Sequence, residues 1–112
     1  MLLKEGLTYE EYAREIGYLL FLKIADEQTK PPLARPPIIP HEHAWDSLTC
    51  LRGKELLSHY SRVVEALAQS PGLPGMLFRQ GPSKIRNPRQ LRRLIILINS
   101  AVWYREESHK KD

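Results

Sequence analysis

A single cysteine, Cys50, stands among the 112 residues, which excludes an internal disulfide framework and fits a reducing compartment. Long apolar runs are missing as well. Tyr18–Leu22 spans five residues, about a quarter of the ~18–20 that cross a bilayer. Met1–Glu5 gives no charged-then-apolar leader, so no cleaved signal is expected. Neither a Walker lysine motif nor a dinucleotide glycine fingerprint occurs. What is present is globular in composition, 42% apolar and 27% charged, enough for one domain and too apolar for a disordered chain.

Acidic residues are scarce in one half only. Residues 1–50 hold five Lys/Arg against eight Asp/Glu, and residues 51–112 hold twelve against five, for a net charge of +4. Between positions 79 and 93 lie Arg79, Lys84, Arg86, Arg89, Arg92 and Arg93 with no carboxylate among them. Such a stretch faces an acidic partner, nucleic acid being the usual one, or remains a solvated basic surface.

Periodicity points to helices. Thr8-Tyr9-Glu10-Glu11 is a capping box, in which the threonine hydroxyl and the glutamate three residues on satisfy each other's amides. Apolar residues then recur on one face from Tyr9 to Ile24, predicting a helix over Tyr9–Glu27. Gly17 within it predicts close approach by another element. Before it, Leu2–Gly6 resembles a last helical turn ending in glycine, as though the chain began partway through an element. Residues 31–40 carry five of the nine prolines and read as a loop, with Leu33, Ile38 and Ile39 packing it along the surface. A second helix is expected over Gly53–Gln69, with Leu56, Leu57, Tyr60, Val63, Val64 and Leu67 as its stripe. Ser70–Gly75 stops it as a turn, and Met76-Leu77-Phe78 forms a short apolar turn plugged into the core. Asn87-Pro88 caps a third helix, Pro88–Ala101, whose Ile96 widens the buried face. Ile16, Leu19, Leu20, Leu56, Val63, Leu67, Leu94 and Leu97 are expected to be buried together. Trp45 and Trp103 should be packing anchors rather than base-stacking rings. The fold class is all-α: a small bundle of three main helices with a Pro-rich loop and short extra turns.

Catalytic chemistry finds little support. His41 and His43 lack a third metal ligand at a zinc-site spacing, and loop histidines are the better reading. Cys50, between two leucines with Thr49 intervening, reads as a small buried thiol rather than a nucleophile. Gly72-Leu73-Pro74-Gly75 reads as a turn rather than a phosphate cradle. Asp26 and Glu27 are adjacent on a helix, and so diverge by about 100°. No catalytic, cofactor-binding or metal residue is assigned to this chain.

Several segments line up in order: Glu5-Gly6-Leu7-Thr8-Tyr9-Glu10-Glu11-Tyr12, then Tyr18-Leu19-Leu20-Phe21-Leu22-Lys23-Ile24-Ala25-Asp26-Glu27, Trp45, Gly53, Leu56, Tyr60, Leu67, Leu77-Phe78, Ile85, Pro88, Leu91, Leu94-Ile95 and Trp103. From about Leu2 to Trp103 the chain resembles the N-terminal helical domain of the modification (M) subunit of type I restriction-modification systems. The resemblance implies a parent that transfers a methyl group from S-adenosylmethionine to the exocyclic amine of adenine in DNA, a site-specific adenine methyltransferase. It also implies specificity and restriction subunits and a second M subunit as partners, and a cytoplasmic location. The family's Asn/Asp-Pro-Pro-Tyr/Phe pocket is not met by Lys30-Pro31-Pro32-Leu33 or Arg35-Pro36-Pro37-Ile38, so no S-adenosylmethionine or catalytic residue carries over.

The expectation is therefore a noncatalytic helical domain over residues 1–104, followed by a polar tail, 105–112, leading toward a catalytic domain beyond it. Its work would be DNA clamping, through weak and nonspecific contact, together with subunit assembly. Arg79, Lys84, Arg86, Arg89, Arg92 and Arg93 are the contact candidates, with Arg89, Arg92 and Arg93 sharing one outer helix face. The alternative is a free-standing helical protein-interaction adapter. A helix-turn-helix regulator fits the charge but not the prolines or the buried third helix.

Overall fold

The computed structural model describes residues 8–31 and 33–100. The expectations for residues 2–6, for Trp103 and for the 105–112 tail lie outside the described residues.

Helix α1 spans Tyr9–Glu27 and starts at the expected capping box: the Glu11 amide donates to Thr8 Oγ1 and the Thr8 amide to Glu11 Oε1, each at 3.1 Å. Its buried residues, Glu15, Tyr18, Leu19 and Leu22, follow i, i+3, i+4, i+7 and turn one stripe to the core. Ile16 and Leu20 flank that stripe and are only partly buried, at the rim of the core. The close approach expected at Gly17 is not found, since a Cβ there would meet nothing within 4 Å.

The chain then returns through the proline segment as a loop. Ile39 is buried there and Leu33 half-buried, but Ile38 is exposed, because alternate residues of an extended segment face opposite ways. A 3-10 turn at His41–His43 leads into the short helix α2, Trp45–Thr49. The Trp45 ring is buried, as an anchor, and its indole N–H donates to Asn99 Oδ1 at 2.8 Å.

Helix α3 is Gly53–Ala68, with Leu56, Tyr60, Val63, Val64 and Leu67 buried on one side. Gly72-Leu73-Pro74-Gly75 is not a turn but the start of helix α4, Gly72–Phe78. Pro74 is tolerated because it falls in the first turn, where an amide has no intrahelical acceptor to lose. Gly75 is required for a different reason: a Cβ there would run into the Ser70 carbonyl oxygen. Phe78 is buried as expected, stacked on Tyr18 with ring centroids 4.5 Å apart, while Met76 faces out.

Helix α5, Pro88–Asn99, has Pro88 at its first position and is capped by Asn87 Oδ1, which accepts from the Arg89 amide at 2.9 Å. Leu91, Leu94, Ile95 and Ile98 are buried, but Leu97 and Ile96 are not. The five-residue run Leu94–Ile98 must wrap around the helix at 100° per residue, and only one side of α5 meets the core. Helix α3 packs on α2, α4 and α5, and α1 on α2 and α5, so the described residues form an all-helical domain around one core.

Removing Leu56, which is wholly buried, should cost about 2–5 kcal/mol as Leu56→Ala, whereas Leu97→Ala should stay within about 0.5 kcal/mol; urea-unfolding midpoints compare the two.

Candidate interaction surface

The six basic candidates separate into two kinds. Arg79 follows α4 and reaches back, Nε donating to the Ala68 carbonyl at 3.0 Å and Nη2 to that of Ser70 at 3.2 Å. It thereby satisfies carbonyls left open at the end of α3. Arg92 likewise donates through Nη1 to the Thr49 and Leu51 carbonyls at 3.2 and 3.3 Å, clipping the end of α2 to α5. The single outer face expected of Arg89, Arg92 and Arg93 is thus corrected. With Leu91 and Ile95 turned inward, position 92 borders the buried stripe and its Nη1 turns back to backbone carbonyls, while 89 and 93 point outward.

Lys84 and Arg86 are exposed on either side of buried Ile85, the alternation of an extended segment. Arg89 and Arg93, on the outward side of α5, are likewise exposed. The ion pairs of the described residues, Lys23–Glu27 and Lys30–Asp26, both lie at the end of α1 and include none of these four.

What holds the 81–86 segment in place is a residue that sequence reasoning missed. Glu15 is completely buried, yet its carboxylate is well served: Tyr60 Oη donates to Oε1 at 2.7 Å, Ser83 Oγ to Oε1 at 3.1 Å, and the Lys84 amide to Oε2 at 2.6 Å. Beside it Tyr18 Oη donates to the Gly81 carbonyl at 2.7 Å. Gly81, at φ +156°, lies against the Arg14 guanidinium, where a Cβ would sit 3.3 Å from Cζ. Burial, then the adjacent Glu15 charge and hydrogen bond, push the Tyr60 hydroxyl well above its ordinary 10.0, so it stays a donor. The available signal was the position of Glu15 on the i, i+3, i+4, i+7 stripe with Tyr18, Leu19 and Leu22, an unusual place for a carboxylate.

The histidines lie elsewhere. His41 and His43 belong to the 3-10 turn, with the His43 ring 6.5 Å from that of His59. His59 Nε2 is 2.9 Å from Ser47 Oγ, and burial, then the Arg62 charge, pull its pKa below the ordinary 6.5. Cys50 is exposed rather than buried, because it closes α2 on the outward side of the turn. No group of three His, Cys, Asp or Glu able to hold a metal is found among the described residues. An open groove of about 850 Å³ runs past α3 and α4, but its Arg79 is spent on backbone carbonyls.

The described residues form a small all-helical domain with Lys84, Arg86, Arg89 and Arg93 exposed, and none of their helices is long and apolar enough to cross a membrane. No family model matches the chain. It is 29% identical over 106 residues to the methylase subunit of the type I restriction enzyme StySPI of Salmonella potsdam, covering 94% of this chain and 19% of that subunit. It is 28% identical over 100 residues to the EcoKI methylase subunit of Escherichia coli K12, covering 88% and 18%. With the StySJI methylase subunit of Salmonella typhimurium LT2 the identity is 26%, again over 88% and 18%. Along most of its length the chain is therefore similar to type I restriction enzyme methylase subunits. It spans about a fifth of the length of the curated relatives it matches, 19% at most.

Two outcomes test the supporting geometry. Glu15→Ala leaves three donors unpaired and should cost about 3–5 kcal/mol, and Tyr60→Phe about 2 kcal/mol. The double variant should lose less than the sum, because both changes remove the same bond, as urea titrations of all four proteins would show. His59 gives the second. Its folded pKa lies below 6.5, so the unfolded chain binds more protons in acid; its contribution to stability is complete above 6.5 and is lost as pH falls through that value toward the folded pKa. Melting temperatures between about pH 7.5 and about pH 5.5 should fall in the native chain and fall less in His59→Gln.

Proposed function

We propose that this chain is a noncatalytic helical domain of a type I restriction-modification methyltransferase subunit, acting in DNA clamping and subunit assembly. The observation that carries the reading is the match to type I methylase subunits along 94% of the chain, joined to an outward surface of Lys84, Arg86, Arg89 and Arg93 without a carboxylate partner among the described residues. Guanidinium forks suit phosphate oxygens, and the N-terminal end of α5 adds a favourable dipole for anions. Contact of this kind is independent of base sequence, which leaves target reading to a specificity subunit. The parent would transfer a methyl group from S-adenosylmethionine to the N6 amine of adenine in the cytoplasm, using residues outside this chain. A restriction subunit and a second methyltransferase subunit are its further partners.

The test uses the complete methyltransferase. Reversing Lys84 and Arg86 together to Glu should weaken DNA binding and flatten the dependence of log affinity on log salt by about one unit per lost phosphate contact. Arg92 is kept, since its loss would free α2 from α5. An unchanged slope with intact assembly would reduce this surface to a solvated one.

A further inference from the structure

The outward side of α5 is more than a phosphate surface. Positions 89, 93, 96 and 97 follow i, i+4, i+7, i+8 and are all exposed, Ile96 at 55% and Leu97 at 65%. The opposite side of the same helix already fills the core with Leu91, Leu94, Ile95 and Ile98. Helix α5 is therefore apolar on two sides, and the second is left in water beside Arg93. Between Pro88 and Asn99 the helix holds three arginines and no carboxylate. Arg92 is taken by backbone, and Arg89 and Arg93 have no ion-pair partner among the described residues.

Two candidate occupants differ in how they answer this pattern. A phosphate backbone matches Arg89 and Arg93 but leaves Ile96 and Leu97 hydrated. A protein helix with carboxylates opposite the arginines and aliphatic side chains opposite Ile96 and Leu97 answers both halves at once. Residues 89 to 97 rise about 12 Å along α5, roughly two turns, which is the span over which helical anchors at i, i+3/i+4 and i+7 engage a surface.

We infer that the outer face of α5 docks an acidic amphipathic helix of another protein subunit. Arg89 and Arg93 take its carboxylates, which fixes orientation and partner choice, and Ile96 and Leu97 pack between its aliphatic side chains. This deepens the assembly role proposed above and rests on it. Lys84 and Arg86, on the extended segment with buried Ile85 between them, remain for phosphate.

The experiment titrates three probes into the nitrogen-labelled 112-residue chain and follows its amide resonances. The probes are a synthetic helical peptide of Leu and Glu heptads, the same peptide with Lys at every Glu, and a random-sequence duplex DNA. The Glu peptide should shift resonances along the outer positions of α5 and the Lys peptide should not. Leu97→Asp should weaken the Glu peptide by about tenfold or more with an unchanged circular dichroism spectrum, and Arg93→Glu should transfer preference toward the Lys peptide. Duplex DNA should act on Lys84 and Arg86 rather than on Ile96 and Leu97. The inference is overturned if the Glu peptide maps elsewhere or binds Leu97→Asp equally well. It is overturned too if duplex DNA displaces the peptide from Ile96 and Leu97, or if sedimentation shows a self-associated chain that Leu97→Asp converts to monomer, which makes a second copy the occupant. The salt slope of the complete methyltransferase reports separately on the proposed function, so the failure of one is distinguishable from that of the other.

Discussion

A carboxylate withdrawn from water must find hydrogen bonds or cost several kcal/mol, and Glu15 is withdrawn completely. Its two oxygens collect Tyr60 from α3 and Ser83 and the Lys84 amide from the segment leading to α5. Three parts of the chain far apart in sequence thereby meet on one α1 side chain. Charge-assisted bonds are short and directional, so they set the distance and angle at which the 81–86 segment crosses the bundle. Tyr18, bonded to the Gly81 carbonyl and stacked on Phe78, holds the other end of that segment. The places from which Lys84 and Arg86 leave the surface, and the start of α5 at Asn87, follow from this arrangement.

The arginines show how one residue type serves both interior and surface. Arg79 and Arg92 each put two hydrogen bonds into backbone carbonyls near helix ends, where no intrahelical donor remains. Arg79 spans its two acceptors with Nε and Nη2 of the planar fork, whereas Arg92 reaches both of its acceptors from Nη1. Counting basic residues between positions 79 and 93 therefore overstates the side-chain donors free for a partner. What stays outward without such backbone bonds is Lys84, Arg86, Arg89 and Arg93, followed along α5 by Ile96 and Leu97. The surface thus grades from purely cationic to cationic and aliphatic along one helix. In a chain similar to type I methylase subunits, that gradation sets a cationic and a cationic-aliphatic patch side by side.

Local chemistry made much of this legible from the residues alone. Thr8 with Glu11, and Asn87 with Pro88, mark helix starts because they satisfy amides that every helix leaves open, and such bonds need no distant partner. The periodic stripes of α1, α3 and α5 likewise announce buried faces, and the ordered segments from Glu5 to Trp103 carried the family resemblance. Local rules misled where an alternative context satisfied the same residues. Pro74 was compatible with a helix first turn as well as with a β-turn, and packing of Phe78 against Tyr18 and Phe21 favoured the helix.

Composition and spacing by themselves determined that the described residues fold as helices, where the three long ones begin, and that the positive charge concentrates after residue 50. Tertiary structure alone decided the rest. Which of Ile96, Leu97 and Leu94 is buried depends on how many sides of α5 meet other helices, and a run of aliphatics cannot encode that number. Which arginines are free depends on where carbonyls at the ends of α2 and α3 come to lie, 41 or 43 residues from Arg92 and 9 or 11 from Arg79. The role of Glu15 depends on donors 45 to 69 residues away. Bonds between neighbours are written in the order of residues, whereas bonds across a core exist only once the core has formed.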